Sequence, residues 1–115
     1  MKLGKGDLSG FIDRGVTITG TVEFENTLRI DGKLVGKIHS NDLLIIGEHG
    51  EVDGEIDVAV VSVTGLVKGK IYARQRLEIQ KGGRVLADVV TPKLMLIDGG
   101  VLQGKCEMGT DESKD

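Results

Sequence analysis

Apolar and polar residues alternate along most of the chain, and the alternation comes in packets. A five-residue unit, apolar-x-Gly-x-apolar, occurs at Ile18/Gly20/Val22, Leu34/Gly36/Ile38, Val52/Gly54/Ile56 and Val67/Gly69/Ile71. It continues at Val85/Ala87/Val89 and Leu102/Gly104/Cys106, which makes six copies with central residues 16, 18, 15, 18 and 17 apart. The period inside each unit is two, the period of a strand rather than a helix.

An apolar-x-apolar pair precedes most copies. Leu28/Ile30 and Val61/Val63 start six residues ahead of their units; Leu44/Ile46, Leu77/Ile79 and Leu94/Leu96 start eight ahead. The first copy has a partial pair, with Ile12 six residues before Ile18. Short and long windings therefore alternate with a superperiod of about 33 residues, as the spacing of Leu28, Val61 and Leu94 shows, until the last winding, which is long. The extra two residues fall in Gly-containing turn segments at 47–51, 80–84 and 97–101.

A self-similar period of this kind calls for a repeat architecture. Helical arrays also repeat near 33–34 residues, but helices do not read apolar-x-Gly-x-apolar. A winding of 15–18 residues with short strands and glycine corners is one coil of a β-solenoid. Stacked coils lay branched aliphatics over one another, as β-branched side chains do well in strands. The central glycine is the expected corner, where positive φ or a missing Cβ lets the chain turn. Ala87 in that position predicts an ordinary, negative φ there. The predicted fold is all-β, with a flexible tail over 1–10, one β-solenoid domain of about six windings over 11–108, and a disordered acidic tail over 109–115.

Composition sharpens this picture. Among 115 residues there are 18 glycines, one proline and three alanines, and Val, Ile and Leu number 13, 10 and 12. Three aromatics and no tryptophan leave nothing for a base-stacking nucleic-acid surface. Fifteen Lys+Arg against 18 Asp+Glu, interspersed in sign, make a mixed surface and no phosphate-binding stripe, so no nucleic-acid partner is expected. A single Cys106 excludes an intrachain disulfide framework. The start has no apolar h-region and no run approaches a membrane span, so a cytoplasmic protein is expected.

Candidate chemistry is thin. His39 and His49 read as exposed turn residues, short of a three-histidine metal site; a solenoid acyltransferase using either is the enzyme alternative, disfavoured by the lack of a strict six-residue period. Gly82-Gly83 and Gly99-Gly100 lead into no helix and carry no Lys-Ser/Thr pair, so no nucleotide loop is read there. The serines lack His and Asp at supporting spacing. Cys106 occupies an inward slot, as a small core residue. No catalytic residue, cofactor or metal is expected.

The ends carry more. A solenoid leaves an open edge at each end unless capped, and nothing here reads as an amphipathic capping helix. Open ends that do not close on themselves make filaments. The expected contacts are Phe11, Ile12, Val16 and Ile18 at the N-terminal end, with Leu94, Leu96, Val101 and Leu102 at the C-terminal end. A monomeric solenoid adaptor is the remaining alternative. Met1, Lys2, Leu3 and Lys5 form a candidate membrane-touching peptide, with a frayed terminus as the plainer reading; so short a peptide becomes effective only through multivalency along a polymer.

The order of these motifs resembles the bactofilin family. The resemblance is carried by Val16–Val22, by Leu28–Ile38, and by Leu44-Ile45-Ile46-Gly47-Glu48. It continues through Val52-Asp53-Gly54-Glu55-Ile56, Val61–Ile71 and Gly100–Met108, and covers 10–108. Leu102 stands where the family often has Phe. The resemblance implies a right-handed, three-sided parallel β-helix that self-assembles without nucleotide, like end to like end, into non-polar filaments. It further implies a bacterial cytoskeletal scaffold, often at the inner membrane, that supports cell shape or recruits cell-wall-modifying enzymes.

Overall fold

The computed structural model describes residues 8–108, in which every regular element is a β-strand. The strands are β1 (Leu8–Ile12), β2 (Thr17–Glu23), β3 (Thr27–Ile30), β4 (Lys33–His39) and β5 (Leu43–Ile46). They continue as β6 (Glu51–Val63), β7 (Leu66–Ile79), β8 (Arg84–Thr91), β9 (Leu94–Leu96), β10 (Val101–Gln103) and β11 (Cys106–Met108). All pairings are parallel.

The pairings sort the chain into three faces of six stacked segments each. Face one is β1, β3, β5, 60–63 of β6, 76–79 of β7, and β9. Face two holds 17–19, 33–35, 51–53, 66–68, 84–86 and 101–103, and face three holds 21–23, 37–39, 55–57, 70–72, 88–90 and 106–108. The chain visits the faces in the order one, two, three, six times. This is a β-solenoid of six coils. The strand on face one begins at Leu8, so 8–10 of the expected tail belong to the first coil; 1–7 and 109–115 lie outside the described residues.

Each inward column is aliphatic because strand alternation sends every second residue to the same side. On face two Leu34, Val52, Val67 and Val85 stack; on face three Ile38, Ile56, Ile71 and Val89; on face one Ile30, Ile46, Val63 and Ile79. All of these are buried and belong to one core cluster. No charged side chain shares these columns, so the interior follows the hydrophobic effect at about 25 cal/mol per Å² removed from water.

Corners differ by position. Between faces two and three the turn is made by Gly20, Gly36, Gly54, Gly69 and Gly104, all at positive φ. Ala87 takes this place in the fifth coil without positive φ, since Asn26 is the one described non-glycine residue with it. Between faces one and two, four coils use a turn closed by an i to i+3 hydrogen bond: Val16 N donates to Asp13 O (3.1 Å) and Gly50 N to Gly47 O (2.8 Å). Gly83 N donates to Gln80 O (2.9 Å) and Gly100 N to Ile97 O (2.8 Å) in the same way. The second and fourth coils turn on two residues, Asp31-Gly32 and Thr64-Gly65. The first coil is thus long: Gly10, opposite Leu28, is the missing first member of its partial pair, and Ile12 is the second.

Candidate functional site

The two terminal coils each keep one unpaired backbone edge. Among the described residues, β1 pairs only with β3 and β2 only with β4; β9 pairs only with β7, and β10 and β11 only with β8. An open edge is a row of unpaired N–H and C=O groups, ready to template another strand.

Apolar exposure concentrates at these ends. At the C-terminal end Leu96 is 50% exposed and Met108 55%, with Met95, Ile97 and Val101 also exposed. Leu94, Leu102 and Cys106 are partly buried against the core, as top layers of columns that continue below them. Met108 lies in register with the fully buried Thr91, so it occupies an inward slot that no further coil among the described residues covers. Its signal in the sequence is its position two residues after Cys106, the spacing that separates Val89 from Thr91.

At the N-terminal end the expected residues divide. Val16 is exposed and Ile18 partly buried, while Val22 and Phe24 join the same uncovered layer. Ile12 is only 6% exposed, packed beneath Ile30, so it supports the end from within. Phe11, 51% exposed, pairs with Arg29 and alternates with Ile12, which puts it on the outer side of face one. The structure therefore gathers Val16 and Ile18 at one end and Leu94, Leu96 and Leu102 at the other; Val101, in register with the exposed Arg84, lies on the outer side of face two, as Phe11 does on face one. The candidate membrane residues Met1, Lys2, Leu3 and Lys5 lie outside the described residues.

The histidines sit apart on the surface. His39 Nδ1 is 3.6 Å from Asp57 Oδ2, and His49 Nε2 is 3.7 Å from Glu48 Oε2. Among the described residues no group of three or more His, Cys, Asp or Glu could hold a metal ion. No helix among them is long and apolar enough to cross a membrane.

A stack of parallel coils, with apolar layers uncovered at both ends among the described residues, defines this chain as a parallel β-solenoid. The family model of the bactofilins, polymer-forming cytoskeletal proteins, matches residues 10–107. The chain belongs to the bactofilin family. It is similar to bactofilin BacO of Myxococcus xanthus strain DK1622, 29% identical over 101 residues that cover 88% of this chain and 80% of that protein. It is similar also to bactofilin BacP of the same organism, 28% identical over 97 residues, 84% of this chain but 40% of that longer protein. No solved structure matches the chain.

Proposed function

We propose that this protein is the subunit of a cytoskeletal filament that assembles end to end, without nucleotide, by joining like end to like end. The filament is non-polar and serves as a scaffold for cell shape or for cell-wall-modifying enzymes. Peripheral contact with the inner membrane runs through Met1, Lys2, Leu3 and Lys5. The supporting observation is the C-terminal coil, where Leu96, Ile97, Val101 and Met108 are exposed beside three strands that, among the described residues, lack a partner on one edge. Stacking a second end on this layer removes aliphatic surface from water and pairs the edge groups together. The N-terminal contact is assigned to Val16 and Ile18, with Ile12 beneath them and Phe11 at the rim.

Negative-stain electron microscopy of the purified chain without nucleotide tests the reading, and filaments are the expected result. A concentration-independent monomer in analytical ultracentrifugation overturns it and leaves a monomeric adaptor. Vesicle flotation of assembled filaments, with and without Lys2→Glu and Lys5→Glu, tests the membrane contact separately.

A further inference from the structure

The corner from face three to face one carries a cavity of about 350 Å³ that end-to-end assembly does not use. It is lined by Glu23, Phe24 and Glu25 from one coil and by His39, Asn41 and Asp42 from the next. Its walls are fixed before anything binds. Asn26 N donates to Asp42 Oδ2 (2.9 Å) and Leu43 N to the Asn26 carbonyl oxygen (3.1 Å), which tie the two corners together. Asp42 N donates to Ser40 Oγ (3.0 Å), and Arg74 holds the Ser40 carbonyl oxygen and Asn41 Oδ1 from two coils further along. The charge is one-sided: the lining has three carboxylates and neither lysine nor arginine. Elsewhere on the rod Asp31, Glu51, Asp57 and Glu78 each face a Lys or Arg at 2.5–3.8 Å. Among the described residues Glu23, Glu25 and Asp42 face none, and Arg74 is already paired with Asp57 (2.6 Å).

We propose that this cavity is the docking site for an arginine side chain presented by an extended peptide segment of a partner protein. Phe24, partly buried against the core, brings an aromatic ring to the wall. A guanidinium stacks flat on such a ring and forks onto carboxylates, which an ammonium cannot do. Among the described residues no group of His, Cys, Asp or Glu could hold a metal ion, so the carboxylates are not a metal site. The volume lies at the low end for ligand pockets and takes one long side chain rather than a folded surface. Because its walls are already tied, the site loses little conformational freedom when filled. Glu23 and His39 are register partners that alternate with the inward Val22 and Ile38, so they stand on the outer side of face three. The cavity therefore opens on the flank of the rod. A lone subunit holds the whole site, so the inference stands apart from the filament reading. In a filament each subunit repeats the seat, which turns a weak single contact into a strong one for a partner with several arginines. Binding is sensitive to salt.

The test uses the full chain and a capped fluorescent peptide, Gly-Arg-Gly-Arg-Gly, read by anisotropy at low salt and about pH 8, above the usual histidine range. Saturable binding to the parent is expected. Glu23→Gln, Glu25→Gln and Asp42→Asn together remove the charge and keep the shape, since an asparagine still accepts from Asn26 N. This variant is expected to bind about tenfold more weakly. Glu48→Gln, Asp53→Asn and Asp98→Asn change the net charge equally at exposed positions elsewhere, and should stay within about twofold of the parent. Citrulline in place of arginine abolishes binding, and lysine weakens it several-fold. Phe24→Leu removes the preference for arginine over lysine, with melts by circular dichroism to confirm the fold. No saturable binding in the parent, equal losses in the two triple variants, or equal binding of the citrulline peptide overturns the site. Equal binding of arginine and lysine peptides by the parent overturns the arginine assignment. Affinity that rises about tenfold with Lys2→Gln and Lys5→Gln makes the chain's own N-terminal segment the occupant and overturns the partner. None of these outcomes touches the filament reading, which electron microscopy tests by itself.

Discussion

The carbonyl oxygen of Gly36 stands where a Cβ on Gly54 would be. The two glycines are register partners in adjacent coils, and both have positive φ, 138° and 149°. The corner between faces two and three thus needs glycine twice over, for a backbone conformation that L side chains avoid and for the close approach of one coil to the next. Gly54→Ala is expected to lose about 2–4 kcal/mol, from backbone strain plus forced separation of coils. For a domain of this size that lowers the melting temperature by roughly 10–20 °C. Ala87→Gly, at the same corner one turn of chain beyond Gly69, is expected to cost about 1 kcal/mol or less, since Ala87 sits at an ordinary φ. Thermal melts by circular dichroism check both, and equal losses would show that the corner glycines are not conformationally required.

Arg74 ties three coils together. Its guanidinium donates to Asp57 Oδ1 (2.6 Å), to Asn41 Oδ1 (2.8 Å) and to the Ser40 carbonyl oxygen. Those partners lie 17 to 34 residues back in sequence. Asp57 is 44% exposed, so the ion pair alone is worth at most about 1 kcal/mol. The branched donor geometry adds to it by fixing the 40–42 corner. Arg74→Ala is expected to lose about 1–2 kcal/mol. Arg74→Lys is expected to recover little of that, because an ammonium cannot reproduce the fork. Urea unfolding curves of the two variants measure it; a Lys variant as stable as the parent would mean that charge alone matters.

The six coils were legible because each repeats a period-two pattern that only strands use, and because Gly20, Gly36, Gly54, Gly69 and Gly104 mark one corner at near-constant spacing. Three things were not legible for physical reasons. Gly10 fills an inward slot with no side chain, so the first pair looked incomplete. Arg74 reaches Asn41 across a sequence gap of 33 residues, and no local pattern records such a contact. Phe11 and Ile12 were grouped together at the end because both are apolar. Adjacent strand residues point to opposite sides, so only Ile12 lies inside. The open C-terminal layer was readable as the last members of columns, and Met108 was missed only because its column holds the polar Thr91 one coil below.

On the outer side of face three one row reads Lys37, Glu55, Lys70, Asp88, and the next coil adds Lys105. Parallel, in-register stacking places these charges about 4.8 Å apart. Any coil slipping by one step would bring like charges together, so the alternation favours the native register. Lys105 N also donates to Asp88 Oδ1 (3.1 Å), which carries the ladder into the last coil. Glu55→Lys creates three adjacent cations and is expected to destabilise the fold by about 0.5–1 kcal/mol at low ionic strength. Raising the salt to 1 M shortens the Debye length to about 3 Å and should erase most of the difference. Denaturant titrations at two salt concentrations measure it. A loss independent of salt would mean that packing, not charge, sets the effect.

Assembly through the C-terminal layer makes the sharpest prediction about function. Leu96 is 50% exposed, so Leu96→Arg removes little packing within the subunit and should leave its stability within about 0.5 kcal/mol of the parent. Leu102 is partly buried over Val85, and Leu102→Arg should cost about 1–2 kcal/mol in the isolated subunit while its charge reaches solvent at the open end. In an end-to-end junction both arginines would be desolvated without a partner, and like ends would place two of them together. Each substitution is therefore expected to shift the protein from filaments to monomers or dimers. Val35→Arg, on the outer side of face two away from either end, should leave assembly unchanged. Sedimentation velocity at matched concentration, with melts to confirm folding, separates the three. Long filaments with Leu96→Arg and Leu102→Arg both in place would remove the C-terminal coil from the junction.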